Sequence, residues 1–197
     1  MTRIIPNNQI TLLQSGEAYF TAIETALDRA AHEIYLESYI FENDNTGRRI
    51  AEALRRAAFR GVKTYVLIDG FGSNSLPKSM VDYLAAAGVM VLKFRPKTSP
   101  WTLRRRRLRR LHRKIVVVDQ EIAFVGGINI IDDMNRPDQT SPRYDYAVSV
   151  EGPLVAEILD STRRMWSRVA WTRLRPRWGR GNDRQAPSPE HLESEAA

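Results

Sequence analysis

Hydrophobic and polar positions alternate along this chain in blocks that predict a layered α/β domain over residues 9–171. Gln9 to Leu13 reads as a short strand. Gly16 to Ala31 places Tyr19, Ile23, Ala26, Leu27 and Ala30 on one helical face, with Ser15 as its N-cap. Glu33 to Phe41 follows as a second strand, in which a period of two sets Tyr35, Glu37 and Tyr39 on a common face. A turn rich in Asn and Asp leads to a helix near Thr46 to Arg60, closed by Gly61 just past its end. Val62 to Ile68 is almost continuously apolar, as expected of a strand covered on both faces. Leu76 to Ala87 predicts a third helix ended by Gly88, and Val89 to Phe94 a further strand. Ile115 to Val118 and Ile122 to Val125 predict two strands joined by a tight turn. Arg143 to Glu151 reads as another strand, and Pro153 to Trp171 as a helix with Pro at its start. Strands alternating with helices of this length imply a mixed sheet flanked by helices. From Thr172 the periodicity dissolves, so 172–197 is expected to be a disordered basic and polar tail or a linker.

Composition narrows the class. A 197-residue chain with 43% hydrophobic residues can bury a substantial core. No stretch approaches the roughly 18 to 20 consecutive apolar residues of a membrane-spanning helix. Met1 to Gln9 is polar and holds Pro6, which does not predict a secretory leader. The absence of cysteine excludes disulfides and thiolate metal sites, and is compatible with a reducing cytoplasm. No spacing of His and acidic residues predicts a metal cluster, and no cofactor is expected.

The net charge of +7 has an uneven source. Residues 101 to 114, WTLRRRRLRRLHRK, hold eight Lys or Arg and no acid, leaving 22 basic against 23 acidic residues elsewhere. Such a run attracts polyanions, whether anionic lipid or nucleic acid. Trp101 and three leucines are interleaved with Arg104, Arg105, Arg106 and Arg107, which suits a segment lying in the headgroup region of an anionic membrane. A solvated basic loop is the bland alternative.

The densest chemistry lies just beyond this run. His112, Lys114 and Asp119 form H-x-K-x4-D, followed by Gly126-Gly127-Ile128-Asn129. Strand parity puts His112 and Lys114 on one face and turns Asp119 away from them or into the turn. A neutral imidazole beside a fixed ammonium suits attack on phosphorus, with the lysine binding the anionic oxygens. Gly126 and Gly127 allow close backbone approach to a ligand, and Asn129 offers an amide donor to the same oxygens.

This pattern resembles the phospholipase D superfamily, and IYLESYIF, GVKTYVLIDGFGS, LHRKIVVVD, IAFVGGINI and DYAVSVEGPLV extend the likeness to the N-terminal half of bacterial cardiolipin synthases. The resemblance implies a phospholipase D-like fold and a phosphatidyl transfer through a phosphohistidine at His112. It implies Lys114 and Asn129 as phosphate ligands, Asp145 as the acid that orients the His112 ring, and Asp119 as a structural member of the motif. It also places the carboxylate of Glu37 near the floor of the site, where pairing with a buried Arg or Lys is the structural alternative. Asp69, at the end of its strand, could touch substrate or serve only its turn.

Family members build one active site from two such motifs, whereas His32 and His191 here lack a lysine two residues on. Completion therefore requires a second H-x-K-x4-D half, from another copy of this chain or from a C-terminal half. The expected partners are anionic phospholipid and the inner face of the cell membrane, with a cytoplasmic location; nucleic acid is not favoured. A homodimeric endonuclease of the same superfamily and a catalytically inactive membrane-binding fragment stay open as alternatives.

Overall fold

The computed structural model describes residues 4–95, 110–134 and 142–174. Trp101 and Arg104 to Arg107, assigned above to a membrane surface, lie outside the described residues, as do residues 175–197 of the expected tail.

Seven strands form one mixed sheet: β1 (Gln9–Gln14), β2 (Glu33–Ser38), β3 (Lys63–Asp69), β4 (Met90–Phe94), β5 (Ile115–Val118), β6 (Ile122–Gly126) and β7 (Tyr146–Glu151). Their order is β1-β7-β6-β5-β2-β3-β4. The β2-β3-β4 side is parallel because helical crossovers connect these strands, and the hairpin side is antiparallel. Helices α1 (Ser15–Arg29), α2 (Asn45–Phe59) and α3 (Lys78–Ala86) share one apolar layer with one sheet face. There Ile23, Leu27, Leu54 and Leu84 pack with Ile34, Leu36, Val66 and Val116. Helix α4 (Leu154–Leu174) covers the other face, with Val155 and Leu159 against Tyr35, Val117 and Val150. Alternate residues of β2 and β5 thus feed different layers, as the pleat requires.

The helix ends follow the chemistry of their sequence in part. Gly61 and Gly88 adopt φ of +91°, which lets each follow its helix as a left-handed residue. Asp44 caps α2 by accepting the Gly47 N–H at 2.8 Å. Ser15, expected to cap α1, instead lies within the helix at φ 64°, and the preceding Gln14 makes no side-chain cap. Asp133 supplies that function from 117 residues away, its Oδ2 accepting the Gly16 N–H at 3.0 Å. A remote carboxylate satisfies an orphan donor as well as a local hydroxyl does, and carries no local sequence signal.

Two strands are shorter than their alternation predicts. β2 stops at Ser38 because the Ile40 N–H turns to the Asn129 side chain and Phe41 bridges to Ile130. Tyr39 consequently leaves the face it was expected to share with Tyr35 and Glu37. β7 begins at Tyr146, so Asp145 precedes the strand.

Candidate active site

Residues 110–114 lead into β5 and carry the motif histidine, with Lys114 O accepting the Gly126 N–H at the start of the ladder. His112 is exposed, with its ring 4.9 Å from that of Tyr39. Lys114 is only 7% exposed, and its Nζ lies 3.1 Å from His112 Nε2 and 5.5 Å from the Tyr39 ring centre. Burial lowers the Lys114 pKa, while the charge of Asp145 opposes that shift. An accessible imidazole nitrogen thus sits beside a partly desolvated ammonium, an arrangement fitted to attack on an anionic phosphodiester.

Asn129 is oriented by its backbone neighbour: its Oδ1 accepts the Ile40 N–H at 3.1 Å, which leaves the Nδ2 hydrogens as donors for a ligand. Gly126 and Gly127 serve packing. A Cβ on Gly126 would lie 2.4 Å from the Ala147 Cα, and one on Gly127 would lie 2.2 Å from Asp145 Oδ1. Their N–H groups donate to Lys114 O and Tyr146 O, so the anion-binding role read from the sequence is not open to these two amides here. Close approach of β7 explains the pair better than approach of a ligand does.

Asp145 lies at the site but does not hold the histidine. Its Oδ1 accepts the Tyr146 N–H at 2.7 Å, and among the described residues the His112 ring has hydrogen-bond geometry with Lys114 alone. A cleft of about 270 Å³ opens beside Asn129 and Asp145, bordered by Ile128, Ile131 and Tyr144. The structure brings Asn129 and Asp145 into one concavity, with His112 and Lys114 outside its lining.

Asp119 is remote from this chemistry, since all of β5 separates it from Lys114. It occupies the β5–β6 turn, where it and Gln120 have positive φ as a type I′ turn requires. Its carboxylate accepts three backbone N–H groups, from Ala31, His32 and Glu33, at 2.7 to 2.8 Å. Asp119 ties the hairpin to the loop before β2.

Glu37 follows its structural alternative. It is 3% exposed on the α4 side of the sheet, with Oε2 2.6 Å from Arg113 Nε, out of line for a good hydrogen bond. Arg113 also donates to Ser161 of α4 at 3.1 Å. Burial pushes the Glu37 carboxyl up to about 7, with Arg113 pulling the other way. A carboxyl raised on folding favours the folded state while protonated, and that contribution is lost as pH climbs from 4.5 through about 7. Glu37→Gln is therefore expected to have an unfolding midpoint that varies less than wild type across this window. Thermal unfolding at a series of pH values measures it, and parallel profiles would refute the shift.

Asp69, the remaining sequence candidate, is fully buried, and its carboxylate accepts backbone N–H groups from Phe71, Gly72 and Leu111. Tyr39 lies next to His112, a contact concealed by the strand alternation that assigned it to the Glu37 face.

With this geometry in hand, comparison with known proteins is decisive for the family. The family described as "Cardiolipin synthase, PLD-like domain" matches residues 23–166. The chain belongs to this family. Cardiolipin synthase B of Shigella flexneri is 40% identical over 171 residues, covering 82% of this chain and 41% of that protein. Cardiolipin synthase A of Pseudomonas fluorescens is 39% identical over 163 residues, covering 82% and 34%. The chain thus spans less than half the length of these relatives. The fold is that of Nuc from Salmonella typhimurium, a phospholipase D family member, at a TM-score of 0.59 and 21% identity over 82% of this chain and 95% of that one. Among the described residues of this cardiolipin synthase-family domain, no helix is long and apolar enough to cross a membrane.

Proposed function

We propose that this chain supplies one half of the active site of a phosphatidyltransferase of the cardiolipin synthase type. The observation that carries the reading is the exposed His112 imidazole 3.1 Å from the buried Lys114 ammonium. His112 attacks the phosphorus of a donor phospholipid, forming a P–N bond as the bond to the headgroup oxygen breaks. Lys114 and the Asn129 amide stabilise the charge on the non-bridging oxygens. A histidine from a second H-x-K-x4-D half gives its proton to the leaving alkoxide. It then takes the proton of the incoming phosphatidylglycerol hydroxyl, which attacks phosphorus and releases His112. Splitting one displacement into two keeps the phosphatidyl group covalently held until the acceptor arrives. Operation at the inner face of the cell membrane favours transfer over hydrolysis, because acceptor is concentrated there and water is partly excluded.

Turnover of phosphatidylglycerol vesicles tests this. If the second half is another copy of the chain, specific activity rises with protein concentration, and two His112 side chains face each other across a two-fold axis. If it belongs to a missing C-terminal half, activity appears only when that half is added. Steady turnover by a strict monomer would refute the half-site reading. Tighter binding to duplex DNA than to anionic vesicles would favour an endonuclease.

The basic run is expected to provide membrane affinity. Replacing Arg104, Arg105, Arg106 and Arg107 with Ser should weaken binding to phosphatidylglycerol vesicles, each lost charge being worth about 1 kcal/mol near the surface. Sedimentation with vesicles measures the loss, which should shrink at high salt. Equal binding by variant and wild type would remove this role.

A further inference from the structure

Among the described residues the buried carboxylates are Glu37 and Asp69, and Asp69 is the fully bonded one. It is 0% exposed and closes the C-terminal end of β3. Its Oδ1 accepts the N–H groups of Phe71 and Gly72 at 2.9 and 3.0 Å, which is ordinary turn chemistry. Its Oδ2 does something a turn does not need: it accepts the N–H of Leu111 at 2.7 Å, from the residue directly before His112.

The same turn reaches the other side of the nucleophile. Ser73 Oγ donates to the Tyr39 carbonyl at 3.0 Å and accepts the Phe41 N–H at 3.0 Å. Gly72 lies so close to Tyr39 that an added Cβ would come within 2.4 Å of its carbonyl oxygen and 2.8 Å of its ring. That ring is the one packed at 4.9 Å against His112. The guanidinium of Arg110 adds a third tie, lying 4.5 Å from the centre of the Phe71 ring.

We infer that the turn Asp69–Ser73 is a positioning element for the nucleophile. Asp69 fixes the backbone entering His112, and Gly72 with Ser73 fixes the aromatic wall against its ring. The need for such an element is visible in the fold: His112 precedes β5, and the nearest sheet hydrogen bond, from the Gly126 N–H, reaches only as far as the Lys114 carbonyl. None of the five turn residues touches substrate in this scheme. The inference rests on the reading of His112 as the nucleophile, and it assigns a task to the DGFGS segment that turn chemistry alone leaves unexplained.

Three variants of the full chain test it at separate contacts: Asp69→Asn, Gly72→Ala and Ser73→Ala. Ser73→Ala removes one hydroxyl and no packing volume of consequence, so at least one folded variant is expected. The first readout is the imidazole nitrogen resonances of His112, assigned with His112→Ala, against those of His32 as an internal reference. The His112 signals are expected to shift or broaden in the folded variants while the His32 signals stay in place. The second is phosphatidylglycerol turnover with the complementary half present, in which kcat should fall by about 10 to 100-fold with KM within about threefold, as loss of alignment rather than of binding requires. His112 signals superimposable on wild type in the folded variants, or a rise in KM at unchanged kcat, would overturn the inference. Wild-type protein without any turnover would count against the proposed transferase function, while the His112 spectra would still decide the positioning role.

Discussion

Replacing His112 with Ala is expected to abolish phosphatidyl transfer, lowering kcat by about 10^4-fold or more, as removal of a covalent nucleophile typically does. The size follows from the lack of a substitute among the described residues. Lys114 is buried and its ammonium has no lone pair for attack, and His32 sits at the far end of β2, beside the Asp119 turn. Folding should be little affected, because the His112 ring is exposed and touches chiefly Tyr39 and Lys114. Membrane affinity should likewise persist, so vesicle sedimentation separates lost chemistry from lost binding. Trapping with phosphorus-labelled phosphatidylglycerol should label wild type and leave His112→Ala unlabelled. If active sites form between two copies, adding the variant to wild type should depress activity by more than dilution, since mixed pairs lack one histidine. Labelling of the variant at wild-type level would mean that another residue attacks phosphorus.

Asp119→Ala should be the most damaging change to stability among the motif residues, costing about 3 kcal/mol. Its carboxylate holds the Ala31, His32 and Glu33 N–H groups, and hydrogen bonds to a charged acceptor contribute about 1.5 to 3 kcal/mol each without adding fully. Alanine also loses the tolerance of aspartate for φ 51°. Asp119→Asn keeps that tolerance and one acceptor oxygen, so it should cost roughly half as much. Urea unfolding measures both, and a loss under about 1 kcal/mol for Asp119→Ala would show that the three contacts are replaceable by water. The pH dependence supplies a sign. Burial raises the Asp119 pKa, but its three backbone donors outweigh it and the net shift is downward. A depressed carboxyl contributes stability above its unfolded pKa and loses it as pH falls through the folded pKa, so the gap between wild type and Asp119→Ala should narrow in acid.

Much of the architecture was legible in the sequence because it is set by local periodicity and backbone preference. The β5–β6 hairpin follows from two short apolar runs around Asp119 and Gln120, and the ends of α2 and α3 from Gly61 and Gly88, whose φ of +91° few other residues accept. The pairing of His112 with Lys114 was legible for the same reason: two residues separated by one share a side of an extended chain, and the 3.1 Å contact results. The remoteness of Asp119 from that pair also follows from parity and the turn.

What only the tertiary structure decided is where the polar groups find their partners. Asp133 caps α1 across 117 residues, Asp69 holds Leu111 across 42, and Asn129 ends β2 by taking the Ile40 N–H across 89. Glu37 lies against Arg113, and the two glycines of the motif make room for β7 and Asp145. Alternation records which face of an element is apolar, because burial of each residue depends on its own neighbours in the helix or strand. A buried carboxylate or amide instead needs a donor brought in by another element, and which donor arrives is fixed by strand order, β1 against β7 and β5 against β2, which no local pattern encodes.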